Sequence, residues 1–201
     1  YGFAPRTPVA EEDVPRRIVG ASPRLSYPRA KLALDRAARA AAAAGARVLV
    51  VRPFNLVGAR QDGDGGAVLP RFCARARAGL PLEVHGSGAQ RRVFLDVRDA
   101  ARMLADLALR EAWPVDAVNL GGTEEWSVAA LARRVVDRLG APVTVRHVAP
   151  PPTRGGVEVE RRVPDLSRLR ALVDARPRRT VDDAILALAE SLGGVPAERV
   201  A

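Results

Sequence analysis

The chain has 201 residues, 48% of them apolar and 27% charged, with a formal net charge of +9 and a single cysteine. That apolar share is ample for a packed core and excludes a wholly disordered chain. One cysteine excludes an internal disulfide, and the longest apolar run, 40–51, is too short for a transmembrane helix and is broken by Gly45 and Arg47. The positive charge is spread as arginine doublets over the whole length, and aromatic residues make up only 4%. Without a dense basic arm or stacking platforms, a nucleic-acid partner is not expected, nor is a membrane. His85 and His147 stand far apart with no cysteine pair, so no structural zinc site is expected. Cys73 reads as packing, and the cytoplasm is the default compartment.

In chain order, residues 1–25 read as loop, with Pro5, Pro8, Pro15 and Pro23 and an acidic cluster at Glu11, Glu12 and Asp13. Residues 26–44 read as a helix, with Ser26 as N-cap, Pro28 in the first turn and Gly45 as the stop. The apolar run 48–51 predicts a parallel strand covered on both faces. A loop over 52–66 leads to a helix over 68–78. Strands are expected at 82–84 and 93–95, joined by a turn of Gly86, Ser87 and Gly88, and then a helix over 97–110. A strand over 117–120 ends at Gly121 and Gly122. Ser127 caps a helix running to Leu139, with Gly140 beyond it. A strand over 143–148, a loop over 149–163 and helices over 166–173 and 181–192 complete the pattern. Strands alternate with helices, so the expected class is α/β.

One pair of residues points to chemistry. Lys31 is the one lysine among 32 basic residues, and it follows one of only two tyrosines, Tyr27, by four positions. Four residues on a helix bring two side chains onto one face. Where a positive charge alone suffices this chain uses arginine; an ammonium differs as a compact, three-donor charge on a flexible stem. A cation beside a phenol favours the phenolate, the arrangement wanted for a tyrosine acting as acid or base on a substrate hydroxyl. The competing reading is a surface lysine on an amphipathic helix.

Several further segments stand in a fixed order: Tyr1-Gly2; Tyr27 with Lys31; Arg52, Pro53, Phe54, Asn55, Leu56, Val57, Gly58, Ala59, Arg60; Gly86 to Phe94, then Val97 and Asp99; Asn119 to Gly122; and Arg161 to Asp165. Together they resemble the extended short-chain dehydrogenase/reductases, in the NAD-dependent epimerase/dehydratase branch that acts on nucleotide sugars, near the UDP-glucuronate decarboxylases and UDP-glucose 4-epimerases. The resemblance implies the C-terminal part of a Rossmann-like parallel sheet (1–57 and 92–122) joined to a smaller α/β substrate domain (58–91 and 123–201). It implies NAD as cofactor, with NADP the alternative, and a nucleotide-diphosphate sugar as substrate. Tyr27 would be the acid/base, and Lys31 would hold the nicotinamide ribose. Phe54 and Leu56 would line the nicotinamide pocket, Asn55 would bind near the phosphates, and Arg92 and Arg162 would clamp the diphosphate. From the residues alone, Phe54 reads equally as core, Asn55 also as a turn residue, and Arg91 and Arg161 as competitors within their doublets. Ser87 stands where the family usually has Asp, and Ala59 where it usually has Pro.

The family opens with a Gly-rich strand–turn–helix for the cofactor pyrophosphate and carries a catalytic Ser or Thr just before its Tyr-Gly pair. This chain has neither, so the resemblance implies a C-terminal portion that holds NAD weakly, with a bare sheet edge beside 48–51. The alternative is a non-catalytic nucleotide-sugar-binding domain. The Ala-rich helix from Tyr27 to Ala44 would pair with its copy in a homodimer, as in the resembling family.

Overall fold

The structure is a computed structural model and describes residues 1, 6–15, 17–20, 25–63, 66–149 and 159–192. The class is α/β, built on parallel strand pairs. Strand β1 (Val50–Pro53) runs parallel to β6 (Ala117–Leu120), and β2 (Leu56–Val57) parallel to β5 (Leu95–Asp96). Strand β3 (Leu82–His85) is parallel to β8 (Val145–Val148). Strand β4 (Arg91–Val93) lies between β7 (Glu125–Ser127), antiparallel, and β9 (Arg161–Arg162), parallel. The helices are α1 (Ser26–Ala43), α2 (Val68–Arg77), α3 (Val97–Ala108), α4 (Val128–Leu139), α5 (Ser167–Leu172) and α6 (Val181–Ser191), with a 3-10 turn over Glu11–Asp13.

Local signals explain most of these boundaries. Ser127 Oγ accepts from the Ala130 amide at 3.1 Å, and Gly140 ends α4 with φ +58°. Asp96 caps α3 by accepting from the Arg98 amide at 2.8 Å. Thr180 and Asp183 form a reciprocal capping box at the start of α6. Ser26 is not a cap: it is the first helical residue of α1, Leu25 stands at the N-cap position, and no side chain bonds the orphan amides there.

The strands depart further from expectation. The first lies at 50–53 rather than 48–51, is half-buried at best, and pairs only with β6 among the described residues. The strand expected at 93–95 is two strands. β4 ends at Val93 and β5 begins at Leu95, because the chain changes partners at Phe94, where Gly122 passes so close that a Cβ would meet the Phe94 carbonyl. β3 and β4 do not pair: Gly86 and Gly88, with φ of +67° and +69°, turn the chain out of the β3 plane. The very short β2, β7 and β9 leave too little pattern to be read in sequence.

Two apolar clusters form the core. One gathers α2, α4 and α6 around β3 and includes Leu69, Phe72, Leu82, Leu131 and Ile185; the other gathers α3, α5 and β6 and includes Met103, Leu107, Leu120 and Leu169. They interleave along the chain, since Leu166, Leu169, Leu172 and Ala175 join the cluster of β6. Strand β2 lies between them, Val57 in the first cluster and Leu56 against the second, which is period-2 alternation over two residues. Cys73 is buried in the first cluster, and burial pushes its thiol up to about 12. No described helix is long and apolar enough to cross a membrane.

Candidate active site

Helix α1 puts Tyr27 and Lys31 on one face, with the Lys31 ammonium 5.5 Å from the centroid of the Tyr27 ring. The Tyr27 side chain is open to solvent, at 69% exposure. A phenol with a cation alongside, facing outward, is placed to meet a ligand hydroxyl. No residue of α1 is buried; the stripe turned to the protein is Pro28, Leu32, Asp35, Ala38 and Arg39, all half-buried.

Phe54 and Asn55 bridge β1 and β2, Leu56 opens β2, and the three residues take different roles. Phe54 is buried in a small cluster with Val9, Val93 and Val163, with Tyr1 packed at 5.7 Å between ring centroids. Asn55 has φ +43°, a left-handed backbone that asparagine tolerates, and its Nδ2 donates to the Val93 carbonyl at 2.8 Å. Asn55 and Leu56 nevertheless line a cavity of about 300 Å³, together with Gln61, His85, Gln90, Arg92 and Phe94.

The arginine doublets are sorted by the sheet. Arg91 is the register partner of Arg161, and Arg92 of Arg162. Because side chains alternate along a strand, each pair takes its own face. Arg91 and Arg161 both close on Glu125, Arg91 Nε at 3.2 Å and Arg161 Nε at 2.9 Å from its Oε2, and the Glu125 carboxyl is held below its usual value chiefly by the hydrogen bond from Arg161. Arg92 lines the cavity and donates to the Arg91 carbonyl at 2.8 Å and that of Glu160 at 3.4 Å. No described carboxylate lies within ion-pair distance of Arg162. Arg162 is itself exposed. The structure therefore brings Asn55, Leu56 and Arg92 to one cavity and sets Arg162 beside Arg92 in register, while Phe54 packs in the small cluster of Val9, Val93 and Val163.

Among the cavity residues that the sequence reading did not single out as site candidates are Gln61, Gln90 and Phe94. Gln90 and Phe94 sit inside the 86–94 motif and were visible there as spacing only; Gln61 carries no sequence signal at all. Its Oε1 is buried without a donor among the described residues, while its Nε2 donates to the Leu56 carbonyl at 3.3 Å. Asn119 was likewise seen only as part of a motif. It is fully buried and joins three chain segments: its amide donates to Glu11 Oε1 at 2.7 Å, its Nδ2 donates to the carbonyls of Val9 and Asp165 at 2.9 and 3.0 Å, and its Oδ1 accepts from the Tyr1 hydroxyl.

Residues 1–121 match the sequence profile of the NAD dependent epimerase/dehydratase family. The chain belongs to that family. It is 36% identical over 139 residues to a dTDP-4-dehydro-6-deoxy-D-allose reductase of Streptomyces bikiniensis, covering 67% of this chain and 40% of the reductase. It is 30% identical over 175 residues to a UDP-N-acetyl-alpha-D-glucosaminuronate decarboxylase of Bacillus cytotoxicus, covering 85% of this chain and 54% of the decarboxylase. A solved NAD-dependent NDP-hexosamine 5,6-dehydratase of tunicamycin biosynthesis superposes with a TM-score of 0.77 at 26% identity, over 99% of this chain and 62% of that one. The chain thus spans about half the length of the curated relatives it matches.

For the family's cofactor, the donors present fit one end. The exposed Tyr27 hydroxyl and the Lys31 ammonium, side by side on α1, suit the ribose and nicotinamide portion of NAD. A Gly-rich strand–turn–helix for the pyrophosphate is not found among the described residues.

Proposed function

We propose that this chain supplies the acid/base pair and the nucleotide-sugar side of an NAD-dependent epimerase or dehydratase. NAD, when bound, supplies a reversible hydride acceptor. Tyr27 Oη takes the proton from a sugar hydroxyl and returns it, and the Lys31 ammonium favours the phenolate and hydrogen-bonds the cofactor ribose. Arg92 and Arg162 hold the diphosphate through charge-assisted hydrogen bonds. Asn55 approaches the phosphate-proximal part of the ligand, and Leu56 forms the apolar wall, with Phe54 buried in the neighbouring cluster of Val9, Val93 and Val163. The observation that carries this reading is the arginine pairing. Of the two register pairs on the adjacent strands β4 and β9, Arg91 with Arg161 closes on Glu125, and Arg92 with Arg162 takes the opposite face, where Arg92 lines the cavity.

The division of labour follows the sequence reading. Residues 1–57 and 92–122 serve the cofactor side; 58–91 and 123–201 serve the substrate. NAD is favoured over NADP by the family's own description. The outward face of α1, where Leu34 is 62% exposed, supports a homodimer through the helix from Tyr27 to Ala44.

The test is product analysis by NMR after incubation of UDP-glucose or UDP-glucuronate with NAD and, separately, of a dTDP-4-keto-6-deoxyhexose with NADH as hydride donor. Turnover of one of these, reduced about 100- to 10,000-fold in Tyr27→Phe and also damaged in Lys31→Arg, supports the assignment. Near-normal turnover of both variants overturns it. Binding of the nucleotide sugars with no turnover, under conditions where NAD binds, identifies a binding domain instead.

A further inference from the structure

The residues that present Tyr27 and Lys31 are not held in place by burial. No residue of helix α1 is fully buried, and its protein-facing stripe offers only Pro28, Leu32 and Ala38 as half-buried apolar residues. In the middle of that stripe is Asp35, one turn beyond Lys31 and two beyond Tyr27. Both its oxygens are engaged. Oδ1 accepts from Arg52 of β1, at 2.6 Å from NH2 and 3.2 Å from Nε, and Oδ2 accepts from Arg39 Nε at 2.9 Å. The pair is well covered, with the Asp35 side chain 10% and that of Arg52 13% exposed.

Arg52 is itself fixed from the opposite side. Its NH1 donates to the Glu11 carbonyl at 2.8 Å and to the Tyr1 hydroxyl at 3.1 Å. Its register partner on β6 is Asn119, whose amide is bonded to the Glu11 carboxylate. The guanidinium is a planar fork, so anchoring one edge sets the direction in which the other edge presents its donors. We propose that Asp35 and Arg52 are positioning residues: their ion pair docks α1 on β1 and sets the rotation of the helix, and with it the direction of Tyr27 and Lys31. The docking stands on this geometry alone; its consequence for turnover rests on the acid/base reading of Tyr27. Arg39, which also reaches Asp116, and Arg29, which donates to the Ile18 and Gly20 carbonyls, tether the helix further along and at its start, but neither anchors both a strand and the 9–13 segment.

The test uses the 201-residue chain with Asp35→Ala, Asp35→Asn and Asp35→Glu. Amide hydrogen exchange is read for residues 26–43 against α2, α4 and α6. The expected result is exchange about tenfold faster in 26–43 for the Ala and Asn variants, unchanged in the other helices, and restored by Glu. Asn keeps the shape and loses the charge, so it separates an ion pair from simple packing. Where the wild-type chain turns over one of the three probe nucleotide sugars with NAD or NADH, Asp35→Asn should lower kcat about 100-fold, with KM for the nucleotide sugar changed by less than about threefold. Asp35→Ala with Arg52→Ala should be little worse than either change alone. Unchanged protection of 26–43 in both Ala and Asn variants, loss spread equally over all helices, or failure of Glu to restore it overturns the docking role. Loosening of 26–43 with undiminished kcat overturns the effect on the pair. If exchange behaves as expected while the wild-type chain binds NAD and a probe nucleotide sugar and shows no turnover, the reading of Tyr27 as acid/base has failed and the docking role stands.

Discussion

Helices α1 and α2 make opposite bargains with the rest of the molecule. α2 buries Leu69, Pro70, Phe72, Cys73, Ala74 and Ala76 against α4 and α6, while α1, at 18 residues the longest helix described, buries none. Alanine-rich sequence makes α1 a good helix by itself, so it needs its neighbours for placement and not for existence. That placement comes from ion pairs with Arg52 and Asp116. The difference teaches how a working surface is kept open. A helix seated by apolar burial hides the face it is seated by and its flanks, whereas one seated by a charge pair can leave a tyrosine and a lysine beside the seat in solvent. The apolar bundle, in turn, is the rigid wall against which the cavity of Asn55, Leu56 and Arg92 is formed.

The largest effect that separates the two regions is Phe72→Ala. Phe72 is completely buried, and its truncation should cost about 3–5 kcal/mol in denaturant unfolding; a cost below about 1 kcal/mol would mean that the bundle is not the stable half. Gly122→Ala comes next. Its new Cβ would press on the Phe94 carbonyl at the junction of β4 and β5, so about 1–3 kcal/mol should be lost, with the cavity-lining Phe94 displaced. Loss of stability without any change in the Phe94 environment would separate that junction from the cavity.

Acid should act on α1 before it acts on the bundle. Burial works against the Asp35 charge, but the hydrogen bonds from Arg52 and Arg39 outweigh it and hold the carboxyl below its usual value. A depressed folded value means that the stabilisation is fully present above the unfolded value of about 3.9 and is lost as pH falls through the lower, folded one. Pepsin digestion at descending pH should therefore first cut within residues 26–43 below about pH 4; first cuts within α2, α4 or α6 would contradict the comparison. The smallest effect belongs to Leu34→Ala on the exposed face of α1, which should change unfolding free energy by no more than about 0.5 kcal/mol. A larger loss, growing with protein concentration, would instead show that Leu34 is covered in a dimer.

Much of this molecule was legible because its signals are local. Ser127 and Gly140 bracket α4 as caps do in any helix, the 117–120 strand was read to the residue, and the spacing of Tyr27 and Lys31 needs only a helix to bring them together. Ser26 misled because a serine next to a helical run is a cap only if its backbone leaves the helix, and here the helix starts with it. The break at Phe94 was illegible because a strand that changes partners looks, in one dimension, like a strand that does not.

The sequence by itself determined the α/β alternation, the family-like order of motifs, and which residue types could carry acid/base and anion-binding chemistry. Motif spacing already favoured Arg92 and Arg162 over their neighbours; the tertiary structure adds that Arg92 lines the cavity while Arg91 and Arg161 close on Glu125. That sorting depends on the register of β4 with β9 and on Glu125 arriving from β7, and a one-residue slip would exchange the faces. Tertiary structure also decided that Phe54 packs inward while Asn55 and Leu56 reach the cavity, through a left-handed turn at Asn55. It alone revealed that Asp35 seats α1, because a carboxylate on a helix becomes a seat only when a strand far along the chain brings an arginine beneath it.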